Sequence, residues 1–149
     1  MVRKILTGAL FGFATLAFST QAFAQADAIE KRQKLMKSQS AAAKEIKAAV
    51  ESKNYATIEA KAKDIMGTAD QIPSAFPKGS TTGKTKAKAE IWEKNDDFVK
   101  QAKALSKSAG ELAAAAKASN DAEVGVKVKA VGDACGACHK AFRAEKYPE

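Results

Sequence analysis

Histidine and cysteine are nearly absent: the 149 residues hold one His and two Cys. So few ligands cannot complete a structural zinc site, which takes four, usually as two separated pairs. No stretch reads as a β-strand, which removes the βαβ setting of a thioredoxin-like cysteine pair. There is no further histidine, no acid pair placed for proton transfer and no nucleophile cluster, so the chain is not expected to be an enzyme. The lysines are scattered and no aromatic residues interleave with them, which argues against a nucleic-acid surface. Neither an internal repeat nor a second domain can be read.

A long apolar span is also missing. Arg3 and Lys4 precede a largely apolar run from Ile5 to Phe18, and Ala22-Phe23-Ala24 follows as a small-x-small cleavage site. The run is too short for a permanent membrane span and has the anatomy of a secretory signal over residues 1–24. Stable membrane insertion is therefore not expected. Residues 25–149 form the expected mature domain, 125 residues by subtraction, enough for one core. The full chain has 25 Lys+Arg against 17 Asp+Glu. Losing Arg3 and Lys4 leaves 23 − 17 = +6 for the mature part. This charge reads either as a solvated surface or as steering toward an acidic redox partner.

Against these absences stands Cys135-Gly136-Ala137-Cys138-His139, the attachment sequence of a c-type haem. Residues three and four apart share a helix face. Two thiols can then bond the haem vinyl groups as thioethers while the imidazole of His139 reaches the iron. A structural disulfide or a redox pair is the competing reading of two cysteines in an exported chain. Attachment of haem c happens outside the cytoplasm, so the expected compartment is the periplasm.

Four amphipathic helical segments follow from the apolar spacing. They run from about Asp27 to Glu51, Asn54 to Gln71, Lys88 to Ala118 and Asp121 to Glu145. The first aligns Ile29, Met36, Ala43 and Val50 at seven-residue intervals, with Ile46 between. The second carries Tyr55, Ile58, Ala62, Ile65 and Ala69. The third carries Ile91, Phe98, Ala102, Leu105, Ala109 and Leu112. The fourth carries Val124, Val128, Val131, Cys135, Cys138 and Phe142. The cysteines share the apolar stripe, so a haem must sit in or against the core. Asn54 is a candidate N-cap, and Asn120 with Glu123 resembles a capping box. Pro73 and Pro77 end the second helix and open a loop to Ala87 that either shapes a site or is a tolerated crossover. Gly132, on the cysteine face, would let a haem approach the backbone.

His139 leaves no second histidine, so a sixth ligand has to be sought among three methionines. Met1 belongs to the signal, and Met66 lies at the edge of its stripe. Met36 is the expected distal ligand.

The chain resembles the cytochrome c-prime family, including its methionine-ligated low-spin branch. The resemblance rests on the Cys-x-x-Cys-His near the C-terminus of a four-helix pattern and on three other matches. These are Arg32-Gln33 followed by Met36, Ala89-Glu90-Ile91-Trp92, and Phe142-Arg143 after the histidine. It implies an all-α, antiparallel up-down-up-down four-helix bundle with haem in the core near the C-terminal helix, often a homodimer through the first two helices. It implies Cys135 and Cys138 as thioether cysteines, His139 as proximal ligand and Arg143 beside its imidazole. Arg32 and Gln33 would approach the propionates, and Trp92 would pack against the cofactor. The expected function is periplasmic electron transfer between redox partner proteins. The alternative is a haem protein binding nitric oxide or carbon monoxide at a vacant or labile distal site.

Overall fold

Two asparagines set the short turns of the molecule. In the computed structural model, which describes residues 17–81 and 83–147 and side chains from Gln25 onward, helix α1 spans Ala17–Glu51 and α2 spans Tyr55–Gln71. Residues 1–16 of the expected signal segment lie outside the described residues. Between α1 and α2, Lys53 takes the left-handed conformation at φ 52°, and the Asn54 N–H donates to Ala49 O at 2.8 Å. That closes α1 with a Schellman-type turn. The Asn54 side chain then accepts from Thr57 N at 3.1 Å and opens α2.

The same construction recurs between α4 (Asn95–Lys117) and α5 (Asp121–Phe142). Ser119 sits at φ 51°, Asn120 N–H donates to Ala115 O, and the Asn120 side chain accepts from Glu123 N at 3.2 Å. The expected capping box is thus only half present, because the Asn120 N–H is already spent closing α4.

The long third helix is interrupted. A single turn, α3 (Glu90–Glu93), is separated from α4 by Lys94 at φ −118° and ψ 49°. Asn95 causes no loss of hydrogen bonding there, since its side-chain amide donates to Ile91 O at 3.2 Å. The fourth helix ends at Phe142 rather than Glu145. Arg143 turns extended and pairs with Ala87 in an isolated antiparallel bridge, flanked by Lys88 N→Phe142 O at 3.0 Å and Ala144 N→Lys86 O at 2.8 Å. The tail gains backbone partners from the long loop that another helical turn would have denied it.

The four long helices form the antiparallel up-down-up-down bundle. Helix α2 packs on α1 and α4, and α4 packs on α5. Ile58, Ala62, Ile65 and Ala69 of α2 meet Phe98, Ala102, Leu105, Ala109 and Leu112 of α4, all buried. Ile29 and Ile46 are buried as expected, but the rest of the α1 stripe is rotated by one residue. Arg32, Leu35, Gln39, Ala42, Ile46 and Ala49 are buried, whereas Ala43 is exposed and Met36 half-buried. The reason is that α1 packs on α2 and on the short 3-10 turn Pro73–Ala75, and α1 and α5 share no packed interface.

Candidate functional site

The missing α1–α5 interface is a cavity of about 420 Å³, in the range of pockets that take a cofactor-sized ligand. All seven residues singled out from the sequence line it: Arg32, Gln33 and Met36 from α1, and Cys135, Cys138, His139 and Arg143 from α5 and its exit. Phe76, Phe98 and Phe142 form its aromatic wall, with edge-on ring pairs at 4.9 and 5.3 Å between centroids. Met36 stands half-buried at the edge of the α1 stripe, packed against the core on one side and lining the cavity on the other. Met66, by contrast, is half-buried elsewhere, and a Cβ on Gly110 of α4 would lie 3.3 Å from its sulfur.

Arg32 is the most constrained side chain of the site. It is 4% exposed, and its terminal nitrogens donate to Ser80 O at 2.8 Å, Ser80 Oγ at 2.7 Å and Thr85 Oγ1 at 3.3 Å. Its guanidinium lies 4.6 Å from the Phe76 ring centroid, a cation–π distance. Burial pulls its pKa below the ordinary value. The ion pair available to a surface arginine here goes instead to Lys34, which bridges Glu30 at 2.6 Å. Gln33 Nε2 donates to Lys84 O at 3.1 Å. These two residues therefore have a task the sequence did not announce: they tie the loop over residues 76–88 across the cavity. Only the Nε of Arg32 is left without a partner.

That loop is a wall of the site rather than a slack crossover. Lys84, Thr85, Lys86 and Ala87 line the cavity. Gly83, at φ 107°, passes so close to α1 that a Cβ would sit 3.1 Å from Ile29 Cδ1. Trp92 does not line the cavity. Its indole Nε1 donates to Phe76 O at 3.1 Å and Pro77 O at 3.0 Å, so it anchors the loop from outside. Gly132 is also outside the lining, exposed, with open space where a Cβ would project.

The chemistry of the attachment motif follows from its setting on α5. Cys135 and Cys138 are half-buried free thiols, one turn apart. Burial raises both pKa values, that of Cys138 to about 11 with help from the neighbouring Cys135. A redox-active pair is activated by the opposite shift. Among the described residues no three His, Cys, Asp or Glu side chains converge as a metal site. Desolvation first and Arg143 second lower the pKa of His139 and favour the neutral imidazole, the form that ligates metals.

A haem fits these residues on three grounds. The cavity is mostly apolar, its cations are Arg32, Lys37, Lys84, Lys86 and Arg143, and no carboxylate lines it. Two propionates would meet only positive charge. The only two buried side-chain nitrogen or oxygen atoms without a partner among the described residues, Arg32 Nε and Gln39 Nε2, both belong to residues of this lining. Buried donors without acceptors are costly, and the group that fills the cavity, or what binds to that group, supplies acceptors. The clustering of cations also corrects the reading of the lysines as merely scattered.

The Cytochrome C' family profile matches residues 27–143. The chain belongs to the cytochrome c' family. Its cofactor is accordingly a covalently bound c-type haem. The chain is 41% identical over 85 residues to cytochrome c' of Rhodospirillum rubrum, a match covering 56% of this chain and 58% of that protein. It thus spans less than two thirds of that relative. The crystal structure of cytochrome c' from Thermochromatium tepidum superposes with a TM-score of 0.75 at 30% identity, covering 81% of this chain and 97% of that one. A nitric oxide complex of a mutant cytochrome c prime from Alcaligenes xylosoxidans gives 0.74 at 26% identity, covering 82% and 97%. Among the described residues no helix is long and apolar enough to cross a membrane.

Proposed function

We propose that the protein is a periplasmic monohaem electron carrier. Cys135 and Cys138 would hold the haem as thioethers, His139 would serve as proximal ligand and Met36 as distal ligand. The reading is carried by one observation: residues a hundred positions apart in sequence, on α1 and α5, line the same cavity where the bundle leaves those helices unpaired. When bound, the haem supplies a one-electron iron couple whose potential rises with a thioether ligand. The chain's own residues do the rest. Phe76, Phe98 and Phe142 exclude water, Arg32 and Gln33 hold the loop closed, and the cationic rim balances the propionates. That rim, with Lys37, Lys84 and Lys86, also suits an acidic redox partner. Export by a signal at residues 1–24 places the carrier where haem c is attached. A homodimer through α1 and α2 is the family expectation; Ala41 and Ala43 are exposed for it, while Ala42 is buried in the protomer's own core.

A second reading, a haem protein that takes up nitric oxide or carbon monoxide, is favoured by Met36 being only half-buried in the cavity lining, where it could yield its place. The Alcaligenes xylosoxidans relative is itself a nitric oxide complex. Visible spectra of oxidised and reduced holoprotein, with and without carbon monoxide, test both. Reversible reduction without a carbon monoxide response supports the carrier with a fixed Met36. A rapid response promotes the second reading, and a protein without a Soret band ends both.

A further inference from the structure

We infer that Gln39 is a hydrogen-bond donor for a small diatomic ligand in the distal half of the cavity. The inference deepens the gas-binding reading and rests on it. Gln39 is 9% exposed, its Nε2 has no partner, and it lines the cavity. Leaving such a buried donor unpaired is costly, so its acceptor belongs to what enters the cavity.

The position along α1 narrows which acceptor. Arg32, the other orphaned donor, is seven residues earlier, about 10 Å along the helix axis. Arg32 stands at the loop end with Ser80 and Thr85, amid the cations that suit propionates. Gln39 lies one turn beyond Met36 on the same side, away from that loop end. A ligand that takes the place of the Met36 thioether would present its outer atom to this stretch of α1. A neutral amide donor there suits a weakly polar diatomic acceptor, whereas a carboxylate already has Arg32. The amide would hold the ligand and discriminate it from an apolar occupant of equal size.

The experiment uses ferrous holoprotein carrying Met36→Ala, so that the distal position is open whatever Met36 does in the unmutated chain. Carbon monoxide is the probe, and the readouts are its infrared stretch and its dissociation rate. Adding Gln39→Leu, which keeps volume and removes the donor, is expected to raise the stretching frequency and speed dissociation about 2- to 10-fold, the worth of one neutral hydrogen bond. Gln39→Glu, which replaces the amide donor with an acceptor, is expected to shift the stretch in the same direction or further. Retained thermal stability and an unchanged Soret band in the absence of carbon monoxide verify that both variants are folded and loaded. An unchanged stretch and rate in Gln39→Leu would overturn the role of Gln39 while leaving gas binding intact. Failure of the Met36→Ala holoprotein to bind carbon monoxide at all would overturn both.

Discussion

The two halves of this bundle are built differently. Along α2 and α4 the stripe is unbroken, with Ile58, Ile65, Ala109 and Leu112 at most 1% exposed. Along α1 and α5 the stripe is rotated, mixed with Arg32 and Gln39, and open at Cys135 and Cys138. Packed interiors tolerate no voids and few polar groups, so the first half reads as stability and the second as a site held open by it. The contrast teaches that the haem cavity is the fourth helix–helix interface of the bundle, left unmade so that a cofactor can complete it.

The sharpest break of that comparison is at the cysteines. Serine at both Cys135 and Cys138 is expected to abolish covalent attachment, with haem passing wholly into acid acetone, whereas the unmutated protein keeps its colour through extraction. Next, Leu112→Ala in the packed half is expected to cost about 2–5 kcal/mol of stability by denaturant titration, with the haem spectrum unchanged. Met36→Ala is expected to reverse that pattern, changing the spectrum for a smaller loss of stability. Arg32→Leu strikes where the halves meet. Stripping the donors from Ser80 and Thr85 is expected to cost about 1–3 kcal/mol and to accelerate amide hydrogen exchange over residues 80–88. The smallest effect is reserved for Ser119, a non-glycine residue held in the left-handed region. Ser119→Gly relieves that conformation and is expected to stabilise by up to about 1 kcal/mol, read as a higher Tm, without touching the haem.

The packed half was legible in the sequence because periodicity reports burial against a neighbouring helix. Every expected stripe position of α4 is buried, as are Ile58, Ala62, Ile65 and Ala69 of α2. The site was legible through its motif, which names residue types rather than positions in space. What the sequence hid are features fixed by partners far along the chain. Most of the α1 stripe turned by one residue because no helix faces it on the α5 side. Arg32 and Gln33 read as cofactor-facing, yet their donors are mostly committed to Ser80, Lys84 and Thr85, some fifty residues away. Trp92 read as cofactor packing but pins Phe76 and Pro77. Gln39 lay outside the expected stripe of Ile29, Met36, Ala43 and Val50, and only the cavity gave it meaning.

The central claim is that α1 answers α5 across the cavity with the thioether of Met36. The direct measurement is the red-to-near-infrared charge-transfer spectrum of the ferric holoprotein, recorded for the unmutated chain and for Met36→Ala. The account predicts the band of sulfur-ligated low-spin haem in the first and its loss in the second. A high-spin ferric spectrum in the unmutated protein, with rapid carbon monoxide binding on reduction, would contradict it.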